Sequence, residues 1–244
     1  MQVPRIFVDQ PLAVGDRLTL PAGPTRHLIQ VLRLTEGAPL VLFNGDGRDY
    51  PARLSDPARA GATIMIETAG EPEPEARLAI HLALGVSKGE RMDFALQKAV
   101  ELGVDRLTPL FTERSQVRLD GPRLERRLEH WRGILIAACE QSGRCRLPVL
   151  EAAVTLDQWL ATTPAGGLLL DPQAPLALTA LPAPENSVTL LIGPEGGLNP
   201  REREQAVRQG LQGVRLGPRI LRTETAPLAA IAVIQALWGD FRED

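Results

Sequence analysis

Short apolar runs at residues 6–8, 17–20, 40–43 and 63–66, each bounded by glycine, proline or asparagine, predict strands over the first 70 or so residues. Within this β-rich module Asn44-Gly45-Asp46-Gly47 separates two such runs, a hairpin-turn signal and not a dinucleotide-binding glycine loop. Residues 25–33 predict a short helix with Leu28, Leu32 and Ile29 on one side, which leaves His27 and Arg33 to solvent. The pattern then breaks at Glu71-Pro72-Glu73-Pro74-Glu75, where alternating proline and glutamate favour a stiff, self-repelling, extended chain. That linker sets the expected boundary between a domain of residues 1–72 and one of residues 73–244.

Beyond the linker, strand and helix patterns alternate, which predicts an α/β domain with a mainly parallel sheet. Strands are expected at 78–86, 106–111, 167–170, 188–192 and 214–216. The aliphatic runs 167–170 and 188–192 have the composition of strands covered on both faces, hence of central strands. A helix over 90–102 is stopped by Gly103. Another spans 122–141, where Leu124, Leu128, Trp131, Leu135 and Ala138 recur at helical spacing. Asn199, Pro200 and Glu202 form the start of a third helix, with a capping box, and Gly210 ends it. The last helix, within 226–238, carries almost no charge on any face, so it should be buried, and a second subunit is the expected cover. This predicts a homodimer.

Composition adds limits. A chain of 244 residues with 44% hydrophobic and 23% charged residues has the balance of a globular protein, one medium domain with a small accessory module. No apolar run approaches the roughly 18 to 20 residues that span a bilayer, and the start MQVPRIFVDQ lacks a signal pattern, so a cytoplasmic protein is expected. Cys139 and Cys145 lack CxxC spacing and nearby histidines, which points to inert thiols and no metal site. The net charge of −3 argues against uniform wrapping by nucleic acid. Yet the stretch 114–146 holds eight arginines, Arg118 among them, against four acids. It is either a solvated helix face or a phosphate-facing patch.

Candidate chemistry gathers at two loops. Gly193-Pro194-Glu195-Gly196-Gly197 directly follows the strand at 188–192, at the carboxyl end where parallel sheets bind ligands. Alone it could be a plain strand-to-helix turn, and it is neither a Walker loop nor GxGxxG. The second loop, LGPRILRTETA from Leu216 to Ala226, again leaves a strand through Gly-Pro. Two such loops can enclose one ligand, the glycines letting backbone approach an adenine edge while Leu216, Ile220 and Leu221 flank its faces.

The segments HLIQVLRL, QKAVELGVDRLTPLFTERSQV, EQSGR, IGPEGGLNPRE and LGPRILRTETA occur in this order along the chain. In them the chain resembles the bacterial RsmE family of 16S rRNA uridine-N3 methyltransferases, of the SPOUT class. The resemblance implies a small N-terminal PUA-like β-barrel that binds RNA and a SPOUT-type, trefoil-knotted, mainly parallel sheet domain at the C-terminus. It further implies a homodimer, S-adenosylmethionine as cofactor and 16S rRNA or the small ribosomal subunit as partner. The candidate cofactor-binding residues are Leu170, Ile192, Gly193, Gly197, Leu216, Gly217, Ile220 and Leu221.

Uridine N3 is a weak acid between two carbonyls, so a methyl transfer to it needs a proton acceptor. Glu224 is the candidate base, and Arg222 the candidate stabiliser of negative charge on the uracil oxygens. An ion pair inside the loop is the structural alternative for both. Glu195, near a helix start, reads as an acceptor of backbone amides. Candidate RNA contacts are Arg5, His27 and Arg33 in the small module, and Lys88, Arg114, Ser115, Gln116 and Arg144 beyond it. A non-catalytic ribosome-binding or assembly factor is the rival reading, but it has no need of the second loop. A nucleotide-dependent oxidoreductase is disfavoured by the missing dinucleotide fingerprint and by a count of three histidines.

Overall fold

The structure, a computed structural model, describes residues 3–117, 119–162 and 166–242, so Arg118 of the arginine-rich stretch lies outside the described residues. The chain forms two compact units. One takes the chain through Glu75 together with Cys139–Leu147, and the other takes Ala76–Ala138 and the chain from Pro148 onward.

In the first unit, β1 (Arg5–Phe7), β2 (Arg17–Thr19), β3 (Pro39–Phe43), β4 (Tyr50–Asp56) and β5 (Thr63–Ile66) form one sheet in the order β1-β3-β4-β5-β2. Alternation along these strands turns Leu40, Leu42, Leu54, Ile64 and Ile66 into a common core with Leu28. The expected hairpin joins β3 to β4, with Leu42 opposite Tyr50. Its turn is held locally: Asn44 Oδ1 accepts the Asp46 amide and the Tyr50 hydroxyl donates to Asp46.

The short helix differs from expectation. α1 (Ala22–Arg26) runs into a π-turn over His27–Val31, where the Leu32 amide reaches back five residues to the His27 carbonyl at 2.9 Å. The wider turn rotates later side chains around the axis. Leu28 stays fully buried and Ile29 half-buried, but Leu32 is 40% exposed, so the predicted stripe ends early. Arg33 leaves the turn with φ 55, in the left-handed region, and both it and His27 are exposed.

The EQSGR segment belongs to this first unit, and partly buried polar contacts hold it there. The Phe7 amide donates to Glu140, the amides of Cys145 and Arg146 donate to one oxygen of Glu73, and Arg5 donates to the Arg144 carbonyl.

The second unit is built on β6 (Ala79–Gly85), β7 (Arg106–Phe111), β8 (Val149–Leu150), β9 (Val154–Thr155), β10 (Leu168–Leu170), β11 (Ser187–Ile192) and β12 (Gln212–Val214). The order is β12-β10-β11-β6-β7-β8, with β9 also on β7, and the pairings are parallel. β10 and β11 are interior strands, as their aliphatic composition predicts. From β6 the chain builds outward through β7 and β8, then returns to build the other side. The order therefore reverses between β6 and β11, a topological switch point whose carboxyl-end crevice is the natural ligand site.

The helices α2 (Glu90–Glu101), α3 (Gly121–Ser142, in this unit through Ala138), α4 (Leu156–Thr162), α5 (Pro200–Arg208) and α6 (Thr225–Trp238) complete the unit. Trp131, Leu135 and Ala138 of α3 are buried, while Leu124 and Leu128 are half-buried nearer its start. α5 carries the predicted capping box: Asn199 and Glu202 each accept the other's backbone amide. Two expectations change. The strand expected at 214–216 lies at Gln212–Val214, because Arg215 makes only an isolated bridge to Ala177 as the chain turns away. The burial of α6 is partly internal: Ala226, Ala230, Ile231, Ile234 and Gln235 are covered by their own chain, whereas Ala232 and Val233 are half-buried and Ala236 is exposed. Gln235 is buried and satisfied, donating to the Leu102 carbonyl at 2.8 Å and accepting the Asp240 amide at 2.9 Å. Among the described residues no helix is long and apolar enough to cross a membrane.

Candidate active site

β10, β11 and β12 end side by side, and the loops that follow them surround a cavity of about 690 Å³. Glycine is required where the loop after β11 packs. A Cβ on Gly85, at the end of β6, would lie 2.4 Å from the Pro194 nitrogen, and one on Gly193 would lie 2.9 Å from the Leu198 nitrogen. The loop after β11 can therefore settle against the end of β6 only because these side chains are absent. Gly197 and Gly217 both have φ 65, with open space where a Cβ would project. The backbone there can approach a ligand closely.

A hydroxyl pair fastens the loops together. Ser87 Oγ and Thr223 Oγ1 are 3.0 Å apart, and Thr223 Oγ1 also lies 3.4 Å from the Gly193 carbonyl. A second tie runs through Arg114, which donates to the Gly196 carbonyl at 2.9 Å. Glu202, whose carboxylate is buried at the start of α5, also accepts the Glu113 amide at 2.8 Å, docking the Thr-Glu-Arg-Ser loop against α5.

Of the candidate cofactor-binding residues, Leu170, Ile192, Gly193, Gly197, Leu216, Ile220 and Leu221 line the cavity, while Gly217 stands in the same loop beside Leu216. Ile220 is 85% exposed, so it belongs to the rim and not to an apolar sandwich. Arg222 and Glu224 both line the cavity, 3.9 Å apart, the arginine 80% exposed and the glutamate 20%. Pairing at that distance leaves the carboxylate underused: Glu224 Oε2 is buried and receives no hydrogen bond among the described residues. Glu195 does accept a backbone amide, that of Lys88 at 2.9 Å, from the end of β6 and not from its own helix start.

The sequence reading passed over Arg91, Asp171 and Arg203, which also line the cavity. Asp171 follows β10 directly, and its position at a parallel strand's carboxyl end was the available signal. Arg91 and Arg203 sit in the first turns of α2 and α5, where nothing in the pattern distinguishes them from solvated helix residues.

The candidate RNA contacts separate by burial. Arg5 has a side chain only 10% exposed, paired with Asp49 and lying over the Phe43 ring, and Ser115 is 7% exposed with its hydroxyl accepting the Thr112 amide. Both spend their polar groups inside the fold, which leaves little for a ligand. His27, Arg33, Lys88, Arg114 and Gln116 are exposed, and Arg144 is half-buried. The cysteines are buried free thiols, and burial pushes each up to about 11, so they stay protonated and unreactive.

The cavity suits S-adenosylmethionine. It has a glycine cradle, apolar walls at Leu170, Ile192 and Leu216, and buried carboxylate oxygens on Glu195 and Glu224 that have no donor among the described residues. A nucleoside cation with several N–H and O–H groups answers all three features.

Comparison with known proteins agrees with this geometry. A family model described as RNA methyltransferase domain matches residues 74–235, and one described as RNA methyltransferase PUA domain matches residues 25–66. The ribosomal RNA small subunit methyltransferase E of Buchnera aphidicola is 33% identical over 98% of this chain and 98% of its own. The fold matches that of ribosomal RNA small subunit methyltransferase E from Neisseria gonorrhoeae bound to S-adenosylmethionine, with TM-score 0.92 and 39% identity over 99% of this chain and 100% of that one. It matches a Legionella pneumophila protein solved in complex with the same cofactor at TM-score 0.94 and 38% identity, covering 98% of this chain and 100% of that one. A parallel sheet that ends in a glycine-walled cavity, preceded by a small β-rich module, is thus met by family matches to both parts, and the chain belongs to the ribosomal RNA small subunit methyltransferase E family.

Proposed function

We propose that this protein methylates N3 of a uridine in the 16S rRNA of the small ribosomal subunit, with S-adenosylmethionine as methyl donor. The observation that carries the reading is the cavity at the ends of β10, β11 and β12, lined both by a glycine cradle and by Glu224, whose buried Oε2 has no donor among the described residues. Bound S-adenosylmethionine supplies an already electrophilic methyl group, so the protein's task is alignment and proton management.

Leu170, Ile192, Leu216 and Leu221 offer apolar contact to an adenine, and Gly193, Gly197 and Gly217 allow backbone groups to reach its edge. Ile220 covers the rim. Glu224 takes the N3 proton through its free oxygen, and the lost proton leaves negative charge shared by the two uracil oxygens. Arg222, exposed beside the cavity, meets that charge. His27, Arg33, Lys88, Arg114, Gln116 and Arg144 hold RNA phosphates, with residues 1–72 acting as an RNA-binding module. The uridine must be unstacked to reach the cavity, which favours a shaped ribosomal particle over free duplex. The trefoil knot implied for the C-terminal domain and a homodimer formed across the open side of α6 belong to the same reading, as does a cytoplasmic location.

The test is direct. Small subunits lacking the modification are incubated with the protein and S-adenosylmethionine, and the digested rRNA is analysed by mass spectrometry. 3-Methyluridine is the expected product, and its absence overturns the proposal in favour of a ribosome-binding factor.

A further inference from the structure

Half of the Glu195 carboxylate is a plain amide acceptor. Oε1 accepts the Lys88 amide at 2.9 Å and faces Arg91 Nη1 at 3.4 Å. Oε2 is buried and has no hydrogen-bond donor among the described residues. The side chain is 13% exposed and its residue lines the cavity, in the loop that follows β11. An ionised oxygen held in that state is destabilising unless something donates to it. Two contacts fix Oε1, so the carboxylate cannot easily turn Oε2 elsewhere.

The charges around the cavity sharpen the point. Arg91, Arg114, Arg203, Arg219 and Arg222 line it, a surplus of positive charge that would repel a cationic sulfonium. All three of its acids face an arginine: Glu195 faces Arg91 at 3.4 Å, Asp171 faces Arg203 at 3.5 Å and Glu224 faces Arg222 at 3.9 Å. Glu195 and Glu224 each keep one buried oxygen with no donor among the described residues, and that of Glu224 is the one assigned to the uridine N3 proton. We propose that Glu195 is a cofactor-binding residue whose Oε2 accepts a hydrogen bond from S-adenosylmethionine, anchoring it against the Gly193–Gly197 loop. The inference rests on the cofactor and not on the target base, so it is read without RNA.

The experiment is titration calorimetry of the full chain, wild type and Glu195→Gln, with S-adenosylmethionine, S-adenosylhomocysteine and 5′-methylthioadenosine. Glutamine keeps an oxygen for the Lys88 amide but presents an NH2 where Oε2 stood, turning an acceptor into a donor. The expected result is binding of S-adenosylmethionine and S-adenosylhomocysteine weakened about tenfold or more, the scale of a lost charged hydrogen bond. Equal weakening for 5′-methylthioadenosine places the donor on the nucleoside, and unchanged binding of that ligand alone places it on the amino-acid ammonium. The melting temperature of the ligand-free variant should stay near wild type, while its rise on adding cofactor shrinks. Unchanged affinity for all three ligands overturns the proposal. So does intact affinity with a lowered kcat, which would put Glu195 on the nucleobase. Either failure leaves the uridine-N3 reading to its own test.

Discussion

The hydroxyls of Ser87 and Thr223 meet at 3.0 Å across 136 residues of sequence, joining the end of β6 to the loop that carries Arg222 and Glu224. Thr223 lies between those two residues, so its anchor fixes where both project. Thr223→Val keeps the shape and removes the hydroxyl. Methylation of small subunits should fall about three- to tenfold in kcat/KM, the scale of one neutral hydrogen bond, and Thr223→Ser should restore most of it. A valine variant as active as wild type would mean that the loop holds its position without this contact.

Glu224→Gln separates base from binder. Losing a general base lowers the rate by about 10² to 10⁴. The cofactor should still bind. A variant with the wild-type rate and pH profile would assign the proton to solvent or RNA.

Stability should fall in acid through His81. Burial first, and then Arg106, lowers its pKa from 6.5 to about 4, and its Nε2 is 2.8 Å from the Thr108 hydroxyl. The ring is therefore neutral in the fold but charges at 6.5 in the unfolded chain. Its contribution is complete above pH 6.5 and is lost as pH falls toward 4, by at most about 3 kcal/mol. Urea unfolding at pH 7 and pH 4.5 checks this: His81→Gln should lose less stability between the two than wild type does. An equal loss would remove His81 from the account.

Glu202 supports three backbone and side-chain contacts from one buried position. Its carboxylate accepts the amides of Glu113 and Asn199, and its own amide donates to Asn199 Oδ1. Glu202→Ala removes the capping box and strands two backbone donors, that of Asn199 buried and that of Glu113 partly so, a loss of about 2 to 4 kcal/mol. Thermal unfolding measures it, and a loss under about 1 kcal/mol would show that water replaces the carboxylate.

Gln235 makes a comparable prediction for the α2–α6 contact. Gly103 and Gly239 leave room for it: a Cβ on either would approach the amide within 2.5 Å and 1.9 Å respectively. Gly103→Ala is further strained by φ 88, and should lower stability by about 1 to 3 kcal/mol in denaturant unfolding.

Local patterns determined a good deal by themselves. The periodicity of Trp131, Leu135 and Ala138, the Asn199 cap, the Asn44 hairpin and the aliphatic runs of β10 and β11 are short-range features, set by 3.6- and 2-residue repeats and by turn chemistry. They fixed the α/β class, the central strands and both glycine loops. β8, β9 and α4 escaped because two-residue strands and a seven-residue helix carry too little period to read. The π-turn at His27–Val31 escaped because its sequence suits an ordinary helix as well.

What only the tertiary structure decided is which distant residues meet. Strand order puts β11 beside β6 although 100 or so residues separate them, and that adjacency, not any local propensity, brings Glu195 to the Lys88 amide and Ser87 to Thr223. The same holds for Arg5, which reads as a surface cation and is instead folded against Asp49. Side-chain periodicity reports the face a residue occupies within its own element; the partner on that face is chosen by long-range packing, where desolvation and hydrogen-bond satisfaction are settled together.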